Sequence, residues 1–277
     1  MTADIRLLVL DIDGTLAGES NQINAPVLEA IGQVQQRGVA VAIATGRMYQ
    51  SALRFHQAVG STLPLMAYQG AFIKDPHTDT LHRHTPLPRR LALEILAYLA
   101  PMEARNDLSI HLYIDDQLHV RAVIDDTKAY AERSGIEPIA AGDLATLLVD
   151  DPTLETTKLL TLSDQTDLLS DILSHLGQRY PLDDLYLTRS VEYFVEATHP
   201  QANKGEAVRF VAEDLLGLKP DQVMTIGDNY NDLEMLRYAG LGVAMGDAPD
   251  PVKRGADWVA PGVEADGVAV ALREFLL

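Results

Sequence analysis

Apolar residues recur along this chain in two rhythms, and the change between them divides the sequence. Ile5-Arg6-Leu7-Leu8-Val9 is an almost unbroken apolar run, short and rich in branched residues. Such a run predicts a strand buried on both faces of a parallel sheet. Asn24-Ala25-Pro26 then offers a capping residue with a proline in the first turn. Behind it Val27, Leu28, Ile31 and Val34 fall at helical spacing, and Gly38 marks a stop. Residues 39–44 read as a second buried strand, about 49–59 as a helix, and 65–68 as a third strand. This alternation predicts a parallel sheet with crossover helices.

The texture then changes. Residues 74–88 are turn-rich, and Leu91, Ile95, Leu96 and Leu99 follow on one face of an expected helix. Two alternating runs, 110–114 and 118–123, flank Asp115-Asp116-Gln117 and predict a hairpin with one wet face. Helices are expected at 127–133 and 168–176, with strands at 158–162, 185–188 and 191–197. The first rhythm returns after His199-Pro200: a helix at 204–215 ending at Gly217, a buried strand at 223–226, and a helix to Ala239. A strand at 241–244, the turn Met245-Gly246-Asp247-Ala248 and a helix at 266–276 complete it. The expected class is therefore α/β: a parallel-sheet core from residues 1–82 and 191–277, interrupted by an inserted α/β domain at 83–190.

Composition narrows the partners. Of 277 residues 47% are apolar, enough for a sizeable core, and 22 basic against 40 acidic residues give a formal charge of −18. That charge argues against nucleic acid or an anionic membrane as partner, and it requires a local cation to draw in any anionic substrate. There is no cysteine, which excludes disulfides, thiolate catalysis and Cys-based zinc sites. No signal-peptide pattern opens the chain and no apolar run approaches the ~18 residues of a membrane span. A cytoplasmic protein, monomeric or homodimeric, is expected.

Four loops follow core strands or begin core helices: 11–15, 45–47, 203–205 and 227–232. In a parallel sheet these ends lie on one side. Their convergence would gather Asp11, Asp13, Asp228 and Asp232 with the Thr45 hydroxyl and the Lys204 ammonium. So many carboxylates together raise one another's pKa unless a cation intervenes. Oxygen donors without His or Cys point to Mg²⁺, which accepts phosphate oxygens. A metal, a lysine, a hydroxyl and a spare carboxylate fit a phosphoryl group, with a free Asp able to attack phosphorus.

Asp11-x-Asp13-Gly14-Thr15, Thr45-Gly46-Arg47, Lys204-Gly205 and Gly227-Asp228-x-x-Asn231-Asp232 together resemble the haloacid dehalogenase superfamily. An insert between the second and third motifs resembles its Cof-type (type IIB) phosphatases, and the likeness spans the chain. The resemblance implies a Rossmann-like core with an α/β cap that selects substrates. It implies Asp11 as nucleophile, Asp13 as general acid/base, and Thr45, Gly46, Lys204 and Asn231 as phosphoryl-binding groups. Asp228 would bind Mg²⁺ with Asp11 and the Asp13 carbonyl, supported by Asn231 and, behind the ligands, Asp232. Gln69 and Asp247 depart from that pattern, each standing where Asn is usual.

The implied activity is hydrolysis of small phosphate monoesters, such as sugar phosphates, through an aspartyl-phosphate. A phosphotransferase or mutase on phosphosugars, and a non-catalytic phosphometabolite-binding regulator, are the alternatives. His77, His82 and His84 read as solvated, Trp258, Tyr98, Tyr113 and Tyr130 as core or half-buried, and Arg121 and Arg189 as surface cations.

Overall fold

Leu7, Leu8, Val9 and Leu10 are fully buried, and they form the central strand on which the first half of the fold is built. In the computed structural model, which describes residues 4–105, 107–189 and 191–277, this strand is β1 (Leu7–Leu10). It leads through α1 (Ala25–Gln36) to β2 (Ala40–Ile43), then α2 (Tyr49–Ala58) and β3 (Leu65–Ala67). A tight turn at Tyr68–Gly70 precedes β4 (Phe72–Lys74) and β5 (Leu81–His84). The turn-rich boundary thus begins at the end of one short strand, β4, and contains another, β5. Alternation over three or four residues was too brief to separate them from the turn between.

The expected cap at the start of α1 takes another form. The Asn24 side chain accepts no backbone bond from the helix. Its Nδ2 instead donates to Asp266 Oδ1 at 2.9 Å, tying it to the segment before the last helix.

The chain next forms α3 (Arg89–Glu103), β6 (Ser109–Ile114), β7 (Gln117–Val120), α4 (Asp125–Ser134) and β8 (Pro138–Ala140). It continues through α5 (Leu144–Asp150), β9 (Thr156–Leu162), α6 (Thr166–Arg179), β10 (Tyr186–Thr188) and β11 (Phe194–Thr198). The return half holds α7 (Lys204–Arg209), running on into a π-helical stretch at Phe210–Leu215, and then β12 (Val223–Gly227). It ends with α8 (Leu233–Tyr238), β13 (Leu241–Ala244), α9 (Asp250–Arg254), β14 (Trp258–Val259) and α10 (Gly267–Phe275).

Two compact units result: Met1–Arg83 with Asn203–Leu277, and His84–Ala202. The first carries a five-stranded sheet in the order β14-β13-β12-β1-β2, parallel at every pairing. From β1 the chain steps to β2 on one side, whereas β12 lies on the other. That reversal opens a crevice at the carboxyl ends of the strands, where such sheets bind ligands.

The second unit carries a six-stranded sheet, β10-β11-β9-β6-β7-β8. Because β11 pairs with β9, the sheet includes residues up to Thr198, past residue 190 where the sequence reading ends the insert. Leu91, Ile95, Leu96 and Leu99 of α3 pack with Ile110, Leu112 and Ile114 of β6 in its core, each side chain worth about 1.5–3 kcal/mol.

The other face of this sheet is not wet, contrary to the expectation from the hairpin pattern. Every residue of β6 is buried, because α4 lies over the polar positions. Ser109 Oγ and Thr127 Oγ1 are 3.3 Å apart, and the hydroxyls of Tyr113 and Tyr130 are 2.6 Å apart. Lys158 and Glu196, also on this side, face each other at 3.6 Å with both side chains buried. His84 is half-buried rather than solvated, with Thr157 Oγ1 at 3.0 Å. Among the described residues no helix is long and apolar enough to cross a membrane.

Candidate active site

Asp11 follows β1 directly, and its N–H still pairs with Ile226 O at 3.1 Å. The acid is thereby fixed beside β12 while its side chain stays 6% exposed. Gly14 turns the chain with φ +78°, and a Cβ there would run into the Asp228 carboxylate. Only glycine meets both demands. One residue on, Thr15 Oγ1 donates to Asp228 Oδ1 at 3.0 Å, so the turn after β1 holds the acid that follows β12.

Lys204 opens α7 just after Asn203, whose Oδ1 caps the helix by accepting from the Glu206 N–H at 2.9 Å. The Lys204 side chain is wholly buried. Its Nζ donates to Asp11 Oδ1 and to Asp232 Oδ1, both at 2.6 Å. The other oxygen of Asp232 accepts the backbone N–H groups of Asp228 at 2.8 Å and Asn229 at 3.0 Å. Asp232 is therefore already occupied, anchoring Lys204 and shaping the loop that presents Asp228.

Asp11, Asp228 and Asp232 each bring a carboxylate oxygen within 4.8 Å of the others. Burial pushes the Asp11 carboxyl up to about 7; Lys204 opposes this, while Asp232 and Asp13 add to it. Burial, then the charges of Asp11 and Asp232, raises Asp228 well above the ordinary carboxylate range. Lys204 moves the opposite way: burial would depress it, but Asp11 and Asp232 outweigh burial and hold it protonated. One ammonium faces three carboxylates here. When all are ionised, the excess of two negative charges matches one divalent cation. An all-oxygen donor set of this kind suits a hard ion, so this buried cluster can hold a divalent metal.

Asp13 stands apart from the cluster. Its carboxylate receives Arg47 Nε at 2.8 Å and Nη2 at 2.5 Å, and the same Nη2 donates to Asn21 Oδ1 at 2.7 Å. Thr45 is completely buried, and its Oγ1 accepts from the Arg47 N–H at 3.2 Å. The strand alternation expected to send Asp11 and Asp13 the same way thus gives them different partners. The sequence reading placed Arg47 only as the end of a motif. Nothing in a separation of 34 residues signals this two-point contact.

In the sequence the turn Tyr68-Gln69-Gly70 stands out only through its Gln, yet it meets several site loops. Tyr68, Gln69 and Gly70 have φ of +52°, +60° and +92°, a conformation costing non-glycine residues about 1–2 kcal/mol each. Gln69 is fully buried, and its Oε1 accepts from Asn231 Nδ2 at 3.1 Å. Asp247, the other departure, accepts the Val263 N–H at 3.1 Å, which places it in a turn beside the last helix. Arg121 lies 3.9 Å from Glu103, and Arg189 Nη1 donates to Ser170 Oγ at 3.2 Å.

Residues 8–272 match a family described as haloacid dehalogenase-like hydrolase. The chain is 30% identical over 274 residues to a 5-amino-6-(5-phospho-D-ribitylamino)uracil phosphatase of Bacillus subtilis, covering 97% of each chain. It is 25% identical over 285 residues to a pyridoxal phosphate phosphatase of Escherichia coli, covering 98% of this chain and 99% of that one. A haloacid dehalogenase-like hydrolase from Bacteroides thetaiotaomicron has a similar crystal structure. Its TM-score is 0.81 at 27% identity, covering 98% of this chain and 99% of that one.

Proposed function

We propose that this chain, which belongs to the haloacid dehalogenase-like hydrolases and is a phosphatase of that family, hydrolyses small cytoplasmic phosphate monoesters with Mg²⁺. The observation that carries the reading is the set of buried Asp11, Lys204 and Asp232 with half-buried Asp228, Lys204 lying 2.6 Å from Asp11 Oδ1.

Asp11 attacks phosphorus in line as the bond to the ester oxygen breaks, leaving the phosphoryl group on Asp11. Asp13, once protonated and kept by Arg47 through its other oxygen, gives that proton to the departing alkoxide. It then takes a proton from the water that cleaves the aspartyl-phosphate, which releases inorganic phosphate and restores Asp11. Lys204 carries positive charge toward the phosphoryl oxygens, and Thr45, Gly46 and Asn231 line the neighbouring loops. Asp11, Asp228 and the Asp13 carbonyl would hold Mg²⁺, which would supply positive charge to the phosphoryl group. Asp232 keeps Lys204 and the Asp228 loop in place.

These groups handle only the phosphoryl end, common to every monoester. Choice among leaving groups is therefore assigned to the inserted unit, whose polar and aromatic side chains suit sugar phosphates or similar metabolites. The reading is tested by release of inorganic phosphate from an aryl phosphate. Asp11→Asn should abolish turnover, and EDTA should suppress it reversibly. Retained activity in Asp11→Asn sinks the nucleophile assignment. Product analysis with added sugar acceptors separates hydrolysis from phosphoryl transfer.

A further inference from the structure

Three of the four site loops share one neighbour. The Gln69 N–H donates to Thr45 O and the Tyr68 N–H to Arg47 O, both at 2.9 Å. This turn therefore closes the back of the Thr45-Gly46-Arg47 loop with main-chain bonds. On a second side, Gly70 packs on Asn203 and Ala207, around the residue that begins α7. On a third, the Gln69 side chain accepts from Asn231 Nδ2 at 3.1 Å, while its Nε2 occupies the space that a Cβ on Gly46 would need.

We infer that Gln69 is a positioning residue, a buried amide strut that sets the spacing between the Gly46 loop and the Asn231 turn. The inference rests on the phosphatase reading for its consequence, since those loops would grip the phosphoryl group; the strut itself is a matter of packing. Gln at this position is an expensive choice for backbone conformation. Asn tolerates the left-handed region better, but its side chain is one methylene shorter. It cannot cover Gly46 and still reach Asn231 from the same backbone. The length of the side chain, rather than the ease of the turn, accounts for a strained Gln here.

Gln69→Asn separates the two demands. A residue that only formed the turn would be replaced with unchanged or higher Tm and unchanged turnover. The strut predicts unchanged or higher Tm with kcat/KM for an aryl phosphate lowered on the order of 10- to 100-fold, the scale of an ångström's misplacement. Amide exchange should quicken in peptides covering both 45–47 and 228–232. Gln69→Met keeps the length without the amide; it should lose activity likewise and guards against a poorly folded Asn variant. Gly46→Ala, which pushes the amide aside, should impair wild type strongly but add little to Gln69→Asn, a non-additivity expected only of groups in contact. Wild-type turnover and unchanged exchange in both Gln69 variants, or additive losses in the double variant, overturn the inference. If wild type itself hydrolyses no phosphate ester, the phosphatase reading fails alone, and exchange still decides the strut.

Discussion

Arg47 holds the Asp13 carboxylate at both oxygens, through Nε at 2.8 Å and Nη2 at 2.5 Å. A guanidinium fork fixes a carboxylate in plane as well as in place, which a lysine cannot do. Arg47→Lys should therefore retain the positive charge but lose orientation of Asp13, the proposed proton donor. We expect kcat for an alkyl phosphate to fall on the order of 10²-fold, within the range of general-acid catalysis. The loss for an aryl phosphate with a good leaving group should be much smaller, because that group departs without protonation. Equal losses on both substrates would contradict a role for this contact in leaving-group protonation.

Lys204 is the buried cation that offsets Asp11 and Asp232. Removing one partner of a buried ion pair strands the others, at a cost of about 3–5 kcal/mol. Lys204→Met should lower Tm on the order of 10 °C, read calorimetrically in the transition that Mg²⁺ shifts. Saturating Mg²⁺ should recover part of the deficit, since it supplies charge to the same carboxylates.

Asp228 predicts the reverse sign without metal. Its carboxyl is raised by burial and by the charges of Asp11 and Asp232, so ionising it at neutral pH opposes folding. Asp228→Asn should raise the Tm of EDTA-treated protein at pH 8 while eliminating the Tm increase expected of wild type with Mg²⁺. At a hundredfold excess over Kd that increase corresponds to about 2.7 kcal/mol. A variant that keeps the full Mg²⁺ response would remove Asp228 from the ligand set.

His111, in the second unit, gives a pH prediction independent of the acidic cluster. Burial, and then the charge of Lys158, depresses it from 6.5 to about 3, and its Nδ1 is buried without a hydrogen-bond partner. Between those values the unfolded chain takes up a proton that the folded chain refuses. Stability from this group is thus intact above about 6.5 and falls as pH drops toward about 3. His111→Leu removes the penalty. Its advantage over wild type should grow by about 2–3 kcal/mol between pH 6.5 and 4.5, measured by urea unfolding of the two proteins. A constant difference across that range would show that His111 does not remain neutral.

The sequence disclosed the parts of the site that sit where a regular element ends. Asp11 and Asp228 follow buried apolar runs, and Lys204 begins a helix, so the parallel-sheet pattern alone brought them to one edge. Contacts that depend on side-chain direction were not legible. Asp13 is two residues from Asp11, yet it turns to an arginine on another loop because the chain leaves strand geometry at the Gly14 turn. Residue type misled in the hairpin: His111 and Tyr113 look like a wet face, but α4 supplies Thr127 and Tyr130 to cover them. Gln69 was visible as an oddity, while its reach to Asn231 required the turn's three positive φ angles to be known.

The pairing of β1 also sets an order of assembly. β1 bonds to β2 on one side but to β12 on the other, Leu7 facing Val223. On the ribosome, β1 and β2 emerge long before the strand that must complete their sheet. The contiguous chain of the second unit, His84–Ala202, can close its own sheet in the interval, as non-local pairings form slowly and domains fold as units. The acidic cluster has the same timing: Asp11 is made first, but Lys204, Asp228 and Asp232 arrive only with the last third of the chain. A nascent chain halted before them carries Asp11 without its partners, so the acidic cluster can assemble only once Lys204, Asp228 and Asp232 have all been made.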